Sequence, residues 1–396
     1  MTTRAKTLIP YGRHSLDASD VRAVVSVLKS SRLTQGPMIT RFEEAFAKYC
    51  GVPYAVAVSS GTAALHLAGL AAGFKEGDEV VTTPLSFVAT ANCLLYAGAT
   101  PVFADIDRET LCLDRVEARA KVNPKTRGLL TVDFAGLPCL LGPQKDFSNN
   151  KNFTVIEDAC HALGAQVKRA GAWRRVGDCR QSDMVVFSFH PVKHLTTGEG
   201  GMITTRRKDF YEKLLRLRSH GIERDPRRFL KTNGSGGPWY YEMQELGFNY
   251  RITDIQCALG LSQLKKVDDF VRRRQEIASI YDRSFSHVEA LEILGKFPDR
   301  ISSYHLYVLR FDFNKLGKSR KRVMEELARR GVGTQVHYIP VTSQPYYRKR
   351  FGYEPGDFPV TEAYYESAVS IPIYPAMTRD DVKKVVSEVE RVCLKK

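Results

Sequence analysis

No apolar run in this chain approaches the roughly eighteen residues that a membrane-crossing helix requires, so a helical membrane span is not expected. The eight cysteines, at positions 50, 93, 112, 139, 160, 179, 257 and 393, fall singly, with no C-x-x-C pair and no metal-ligand spacing. That pattern argues against a zinc ribbon or a disulfide scaffold; it suits reduced thiols packed in a core, with no bound metal. The opening residues, MTTRAKTLIPYGRHSLD, lack the apolar block of a secretory signal, and a cytoplasmic protein is the expectation. Internal repeats and low-complexity tracts are absent as well. Acid is the scarcer charge: 44 Asp and Glu stand against 59 Lys and Arg, a formal net charge of +15. Such an excess fits either a nucleic-acid partner or an anionic small substrate. The basic clusters at 227–231, 272–274, 318–322 and 346–351 come with no winged-helix, zinc-finger or RNA-recognition signature. Most of that charge therefore reads as solvated surface, and a DNA-binding regulatory protein is kept as the alternative from a different class.

The 396 residues, 43% hydrophobic, are enough for a substantial core and for two domains of unequal size. Helical patterns at 19–30 and 39–49 precede a strand, AVAV at 55–58, then Ser59, Ser60, Gly61, Thr62 and an Ala/Leu-rich helix. Strands at 79–83, 101–106, 128–133 and 153–158 follow, with a helix at 86–97 between the first two. Alternation at this spacing predicts an α/β domain with a mostly parallel mixed sheet flanked by helices. Ligands of such sheets sit beyond the carboxyl ends of the strands, where Asp133, Asp158 and Lys193 are expected. After a helix at 208–218 comes 222–247, centred on Gly234, Ser235, Gly236, Gly237 and Pro238, with little periodicity: a surface loop or a lid. Helices at 253–268 and 270–283 follow, then a composition break at 285–301, strands at 304–313 and 334–339, a helix at 319–330 and a last helix at 380–393 capped by Thr378. This second group reads as a smaller C-terminal α/β domain. The expected boundaries are an N-terminal segment 1–30, a large domain 31–265 and a small domain 266–396.

The most informative stretch is 183–205, DMVVFSFHPVKHLTTGEGGMITT, in which a strand delivers a Ser, a His and a Lys into a Thr/Gly-rich turn and a second strand leaves it. A lysine there is either a surface group, as most lysines are, or an imine-forming amine. The Ser-Gly-Thr start of the helix at 61 is either a plain cap or an anion site, because the first N–H groups of a helix have no partner within it.

The motifs SSGTAAL, TPLSFVATAN, IEDACHALGA, FSFHPVKHLTTGEGG, RSHGI, FNYRITDIQCALGLSQL and QVHYIP, in this order, resemble the sugar aminotransferases of the DegT/DnrJ/EryC1/StrS family from about Tyr11 to Ala376. The resemblance implies a fold-type-I enzyme that uses pyridoxal 5'-phosphate, with pyridoxamine 5'-phosphate as its aminated form. It also implies L-glutamate and a nucleotide-linked keto sugar as substrates and a homodimer with shared active sites. TTPLSFVATAN, TVDFAG and GLSQLKK resemble the members that work at C4 of a UDP-linked 4-keto-6-deoxy-N-acetylhexosamine in pseudaminic acid biosynthesis. A dTDP- or GDP-linked sugar, or C3 amination, is the alternative within the family. Relatives acting as sugar dehydratases carry histidine in place of the imine-forming lysine, and Lys193 argues for transamination.

Carried over residue by residue, the resemblance makes Lys193 the catalytic amine and cofactor ligand. Asp158 would face the pyridine nitrogen, and Gly61, Thr62 and Ser188 the phosphate. Phe87 would stack on the ring, and His161, where relatives often have Gln, would meet the phenolic oxygen. Asn249 would reach the phosphate from a neighbouring subunit. On the substrate side it implies Thr34, His220, His337 and Tyr338, and Arg227, Arg228 and Lys231 in the 222–247 segment could pair with a diphosphate. His190 has no assigned role beyond the SFH motif.

Overall fold

The computed structural model describes residues 8–150, 152–231 and 237–394. Gly234, Ser235 and Gly236 of the expected lid therefore lie outside the described residues. Nine strands belong to the first part of the chain: β1 (Tyr54–Val58), β2 (Glu79–Thr82), β3 (Thr100–Phe103), β4 (Thr126–Val132), β5 (Thr154–Asp158), β6 (Gln166–Arg169), β7 (Ala172–Arg175), β8 (Met184–Ser188) and β9 (Gly201–Thr205). Seven of them form one mixed sheet in the order β1-β9-β8-β5-β4-β2-β3. β3, β2, β4, β5 and β8 run parallel, and β9 is antiparallel to both β8 and β1. Short Val, Ile and Ala runs such as YAVAV and MVVFS suit this position because helices cover both faces, leaving almost every strand residue buried.

Two helices that matter to the site begin with their own caps. Ser60 accepts from the Ala63 N–H and starts the helix Gly61–Ala71, whose Ala, Gly and Leu side chains are buried nearly all round. Thr253 and Gln256 form a capping box at the start of Asp254–Leu264. The expected helix at 253–268 stops early, and a new one, Val267–Phe285, begins after Lys266, whose ammonium pairs with Asp17 and Asp20.

A second, antiparallel sheet joins Leu291–Ile293, Tyr307–Phe311 and Ala368–Ile371. Arg379–Cys393 packs near it, capped as expected by Thr378. The N-terminal segment is threaded into this part: Ile9 bridges Val332, the Gly333 N–H donates to Ile9 O, and the Ile373 N–H donates to Tyr11 O.

Three expectations need correction. The helix expected from 86 begins at Ala89, because Ser86, Phe87 and Val88 form a turn in which the Ser86 hydroxyl bonds Thr90 Oγ1 at 2.6 Å. Residues 334–339 do not make a strand; they touch the second sheet through one bridge, Gln335 to Ser370, and then run as an extended segment into Pro340. The β6–β7 hairpin was not expected, because Lys168, Arg169, Arg174 and Arg175 hide its alternation and its turn relies on Ala170 and Gly171 at positive φ.

Candidate active site

A cavity of about 650 Å³ opens at the carboxyl ends of β5 and β8, between the large sheet and the extended 335–339 segment. Among the expected cofactor residues, Gly61, Thr62, Phe87, Asp158, His161, Ser188 and Lys193 all line it. His337 and Tyr338 line it from the other side. Lys193 follows β8 in a tight turn held by its own N–H on His190 O and by the Thr197 N–H on Phe189 O. Its neighbour His194 does not line the cavity; it is buried with Nε2 3.0 Å from Ser303 O. Loss of hydration pushes the Lys193 amine below the usual lysine range, against the pull of nearby Cys160 and Asp158.

Asp158 ends β5 as a buried carboxylate. One oxygen accepts the Thr90 hydroxyl at 2.7 Å and the other the Cys160 N–H at 3.1 Å. No Lys, Arg or His pairs with it among the described residues, so it is an anion in want of a cation. Glu157, its neighbour, points to the other face of the sheet and accepts the Ser182 hydroxyl. Asp133, expected at this edge, is fully buried, accepts the Cys139 N–H at 2.8 Å and does not line the cavity.

Opposite the carboxylate, the helix Gly61–Ala71 aims its N-terminus into the cavity. The approach is too close for any side chain at residue 61: a Cβ there would lie 2.8 Å from Ser188 Cβ and 3.2 Å from its hydroxyl. Gly201 is required next to it, since its Cβ would meet Ser60 O at 2.5 Å. Free helix N–H groups beside a serine hydroxyl make a seat for an oxyanion.

Four buried imidazoles belong to this region, and the exposed His190 lines the cavity. His161 Nε2 is 3.1 Å from Tyr338 Oη, and its ring centre is 4.3 Å from that of His305. His337 Nδ1 is 2.8 Å from Ser370 Oγ. Burial holds His161, His194 and His305 well below the ordinary histidine range and takes His337 to about 3. Phe87, 56% exposed, stands at the mouth with its ring 6.0 Å from that of Tyr338.

The remaining expected residues are elsewhere in this chain. Thr34 is exposed and bridges Thr253; Asn249 is exposed and bridges Ser219. His220 and Arg228 line a separate cleft of about 440 Å³ together with Arg216, Arg224 and Arg251. Arg227 pairs with Asp225, Arg228 with Glu212, and the Lys231 N–H donates to Glu242. Arg218 of the RSHGI motif is structural: it pairs with the buried Glu43 and donates to Ala57 O behind β1. Residues not foreseen in the cavity include Tyr11, Ser86, Thr90, His305 and Gln335. Ser86 and Thr90 sat within a motif already singled out, whereas Tyr11 and His305 arrive from distant segments with no local signal.

The residues present fit pyridoxal phosphate: a lysine whose amine is held below its ordinary range, an unpaired carboxylate and a glycine-walled oxyanion seat share one cavity. No helix of the described residues is long and apolar enough to cross a membrane, and no cluster of His, Cys, Asp and Glu among them could hold a metal ion.

Comparison with known proteins agrees with this geometry. The model of the DegT/DnrJ/EryC1/StrS aminotransferase family matches residues 14–390. The spore coat polysaccharide biosynthesis protein SpsC of Bacillus subtilis is 39% identical over 393 residues, covering 99% of each chain. The structure of Helicobacter pylori PseC, an aminotransferase involved in the biosynthesis of pseudaminic acid, superposes with a TM-score of 0.87 at 32% identity, covering 98% of this chain and 99% of that one. The sugar aminotransferase Spr1654 of Streptococcus pneumoniae, described as putative by name and solved in a PMP form, superposes with a TM-score of 0.87 at 27% identity, covering 97% and 99%.

Proposed function

This chain belongs to the DegT/DnrJ/EryC1/StrS family of pyridoxal-phosphate-dependent sugar aminotransferases of fold type I, and we propose that it aminates the C4 ketone of a UDP-linked 4-keto-6-deoxy-N-acetylhexosamine. The amino group comes from L-glutamate, which leaves as 2-oxoglutarate with its new carbonyl oxygen taken from water, and the ketone oxygen leaves as water, so none is gained or lost overall. The observation that carries the reading is the convergence of Lys193, Asp158 and the Gly61 helix start on one cavity. When bound, the cofactor supplies an electron sink that makes a neighbouring C–H acidic.

The chain's own groups do the rest. Lys193 holds the cofactor and, once its amine is free, carries a proton from one carbon to the other through Nζ; an amine kept below its ordinary range is suited to that. Asp158 keeps a proton on the pyridine nitrogen by opposite charge. Gly61 and Thr62 N–H groups and the Ser188 hydroxyl bind the phosphate. His161 would donate to the phenolic oxygen, and Phe87 would cover the ring face. His337 and Tyr338 face the sugar.

The exposed positions of Thr34, Asn249, His220, Arg228 and Lys231 support a homodimer in which a second copy completes each site. In that arrangement Asn249 reaches the phosphate, and the arginine-rich cleft, with Arg227 beside it, meets the diphosphate. The match to PseC supports the pseudaminic-type sugar. The test is a panel of UDP-, dTDP- and GDP-linked keto sugars with glutamate. Turnover of the UDP-linked 4-keto-6-deoxy-N-acetylhexosamine is expected, and its absence beside turnover of another sugar would reassign the substrate while leaving the aminotransferase intact.

A further inference from the structure

We propose that His305 is the positioning residue for the Lys193 amine and that the buried Arg274 holds it in place. This rests on the reading of Lys193 as the lysine that holds the cofactor.

The route of the chain is the first argument. Residues 302–305 run from Arg300–Ile301, which pairs with β6, to the strand Tyr307–Phe311 and pass the cavity on the way, pinned by three contacts of Ser303. Its N–H donates to Gly136 O, its hydroxyl donates to His161 O at 3.0 Å, and its carbonyl accepts from His194. Tyr304 then turns with φ 49°, a left-handed conformation that a non-glycine residue seldom takes. The turn throws His305 inward, with Nε2 3.5 Å from Lys193 Nζ.

Arg274 is the second argument. On the helix Val267–Phe285 it is only 1% exposed, and no carboxylate pairs with it among the described residues. Instead Nη1 donates to Tyr304 O and His305 O at 3.2 Å and to Ile373 O at 2.8 Å. A buried charge without a counter-ion is costly, and the strained turn carrying His305 is what this one holds.

The chemistry follows from hydrogen-bond roles. His305 Nε2 is the one hydrogen-bond partner of Lys193 Nζ among the described residues. The Lys193 Nζ carries N–H donors whether charged or neutral; with Nε2 as its acceptor the ring proton sits on Nδ1, which is buried without a partner. Burial and the neighbouring Lys193 keep the ring neutral. His305 therefore aims the amine and does not take its proton.

The test uses cofactor-stripped full-length protein. Adding pyridoxal phosphate lets the amine condense with the aldehyde, releasing one water, and the visible band of the lysine-bound cofactor reports the rate. Equilibrium dialysis reports retention separately. His305→Leu is expected to slow the band by about tenfold to a hundredfold, the worth of one hydrogen bond to a charged group, with retention little changed. His305→Gln, which keeps an acceptor, restores most of the rate. Arg274→Lys slows it too, since an ammonium cannot reproduce the guanidinium fork, and serves alone if His305→Leu fails to fold. A wild-type rate in His305→Leu, or in Arg274→Lys where that variant stands alone, overturns the proposal. A band that persists in Lys193→Ala would instead overturn the reading of Lys193 itself.

Discussion

Replacing Asp158 with Asn removes a charge while keeping the side chain's shape. In the structure its two oxygens take the Thr90 hydroxyl at 2.7 Å and the Cys160 N–H at 3.1 Å, and no cation neutralises it. Its charge is thus available to the ring nitrogen of the cofactor, and the loss should fall on chemistry more than on folding. An opposite charge in a partly desolvated site shifts a pKa by about one to three units. At about 1.4 kcal/mol per unit this is about 1.4 to 4 kcal/mol, or roughly tenfold to a thousandfold in rate. The assay is a single-turnover half-reaction with glutamate, followed by the change in the cofactor's absorbance, beside thermal unfolding of the same variant. The expected outcome is a large loss of rate with a small change in the melting temperature, because the amide oxygen of Asn accepts the Cys160 N–H while its NH2 donates to the Thr90 hydroxyl, which turns to donate to Ser86. A half-reaction within about twofold of wild type, well inside one pKa unit's tenfold, would mean that Asp158 does not support the ring nitrogen.

Three further outcomes are expected. Gly61→Ala drives a methyl to within 2.8 Å of Ser188 Cβ; overpacking of this kind costs about 1 to 3 kcal/mol, and titration with pyridoxal phosphate should show weaker binding by roughly tenfold or more. Thr90→Val leaves the Asp158 oxygen without its hydroxyl donor, a loss of about 1.5 to 3 kcal/mol that should appear in urea unfolding as a lower midpoint with an unchanged slope. The third concerns acid stability. His161, His194, His305 and His337 are all held below their unfolded value by burial. As pH falls from about 6.5 the unfolded chain takes protons that the folded one refuses, so stability is lost at up to about 1.4 kcal/mol per pH unit for each ring. Unfolding midpoints measured from pH 7 to 5 should fall, and His305→Gln should make the fall shallower; a flat profile would contradict the buried neutral imidazoles.

Much of the architecture was legible because it is written locally. Runs such as AVAV and MVVFS announce buried strands, and Ser60, Thr253 and Thr378 announce the helices they cap. Lys193, Asp158 and Gly61 could be named because each lies at or just after the end of a strand within a recognisable motif. What escaped the sequence is what depends on distance. His305 reaches Lys193 across 112 residues, Tyr11 enters because Ile9 pairs with Val332 and the Ile373 N–H donates to Tyr11 O, and Arg274 acts on carbonyls 30, 31 and 99 residues away. The 334–339 segment was misread as a strand: it touches the second sheet through Gln335 and lines the cavity with residues 335–339. Asp133 shows the reverse error: a carboxylate at a strand end that turns inward to cap Cys139.

The central claim is that Lys193 is the residue that holds the cofactor. It is tested most directly by incubating the protein with pyridoxal phosphate, reducing with borohydride and mapping the modified peptide by mass spectrometry. The account predicts one phosphopyridoxyl group on Lys193 and none in Lys193→Ala. Modification of another lysine with Lys193 untouched, or no stable adduct at all, would contradict it.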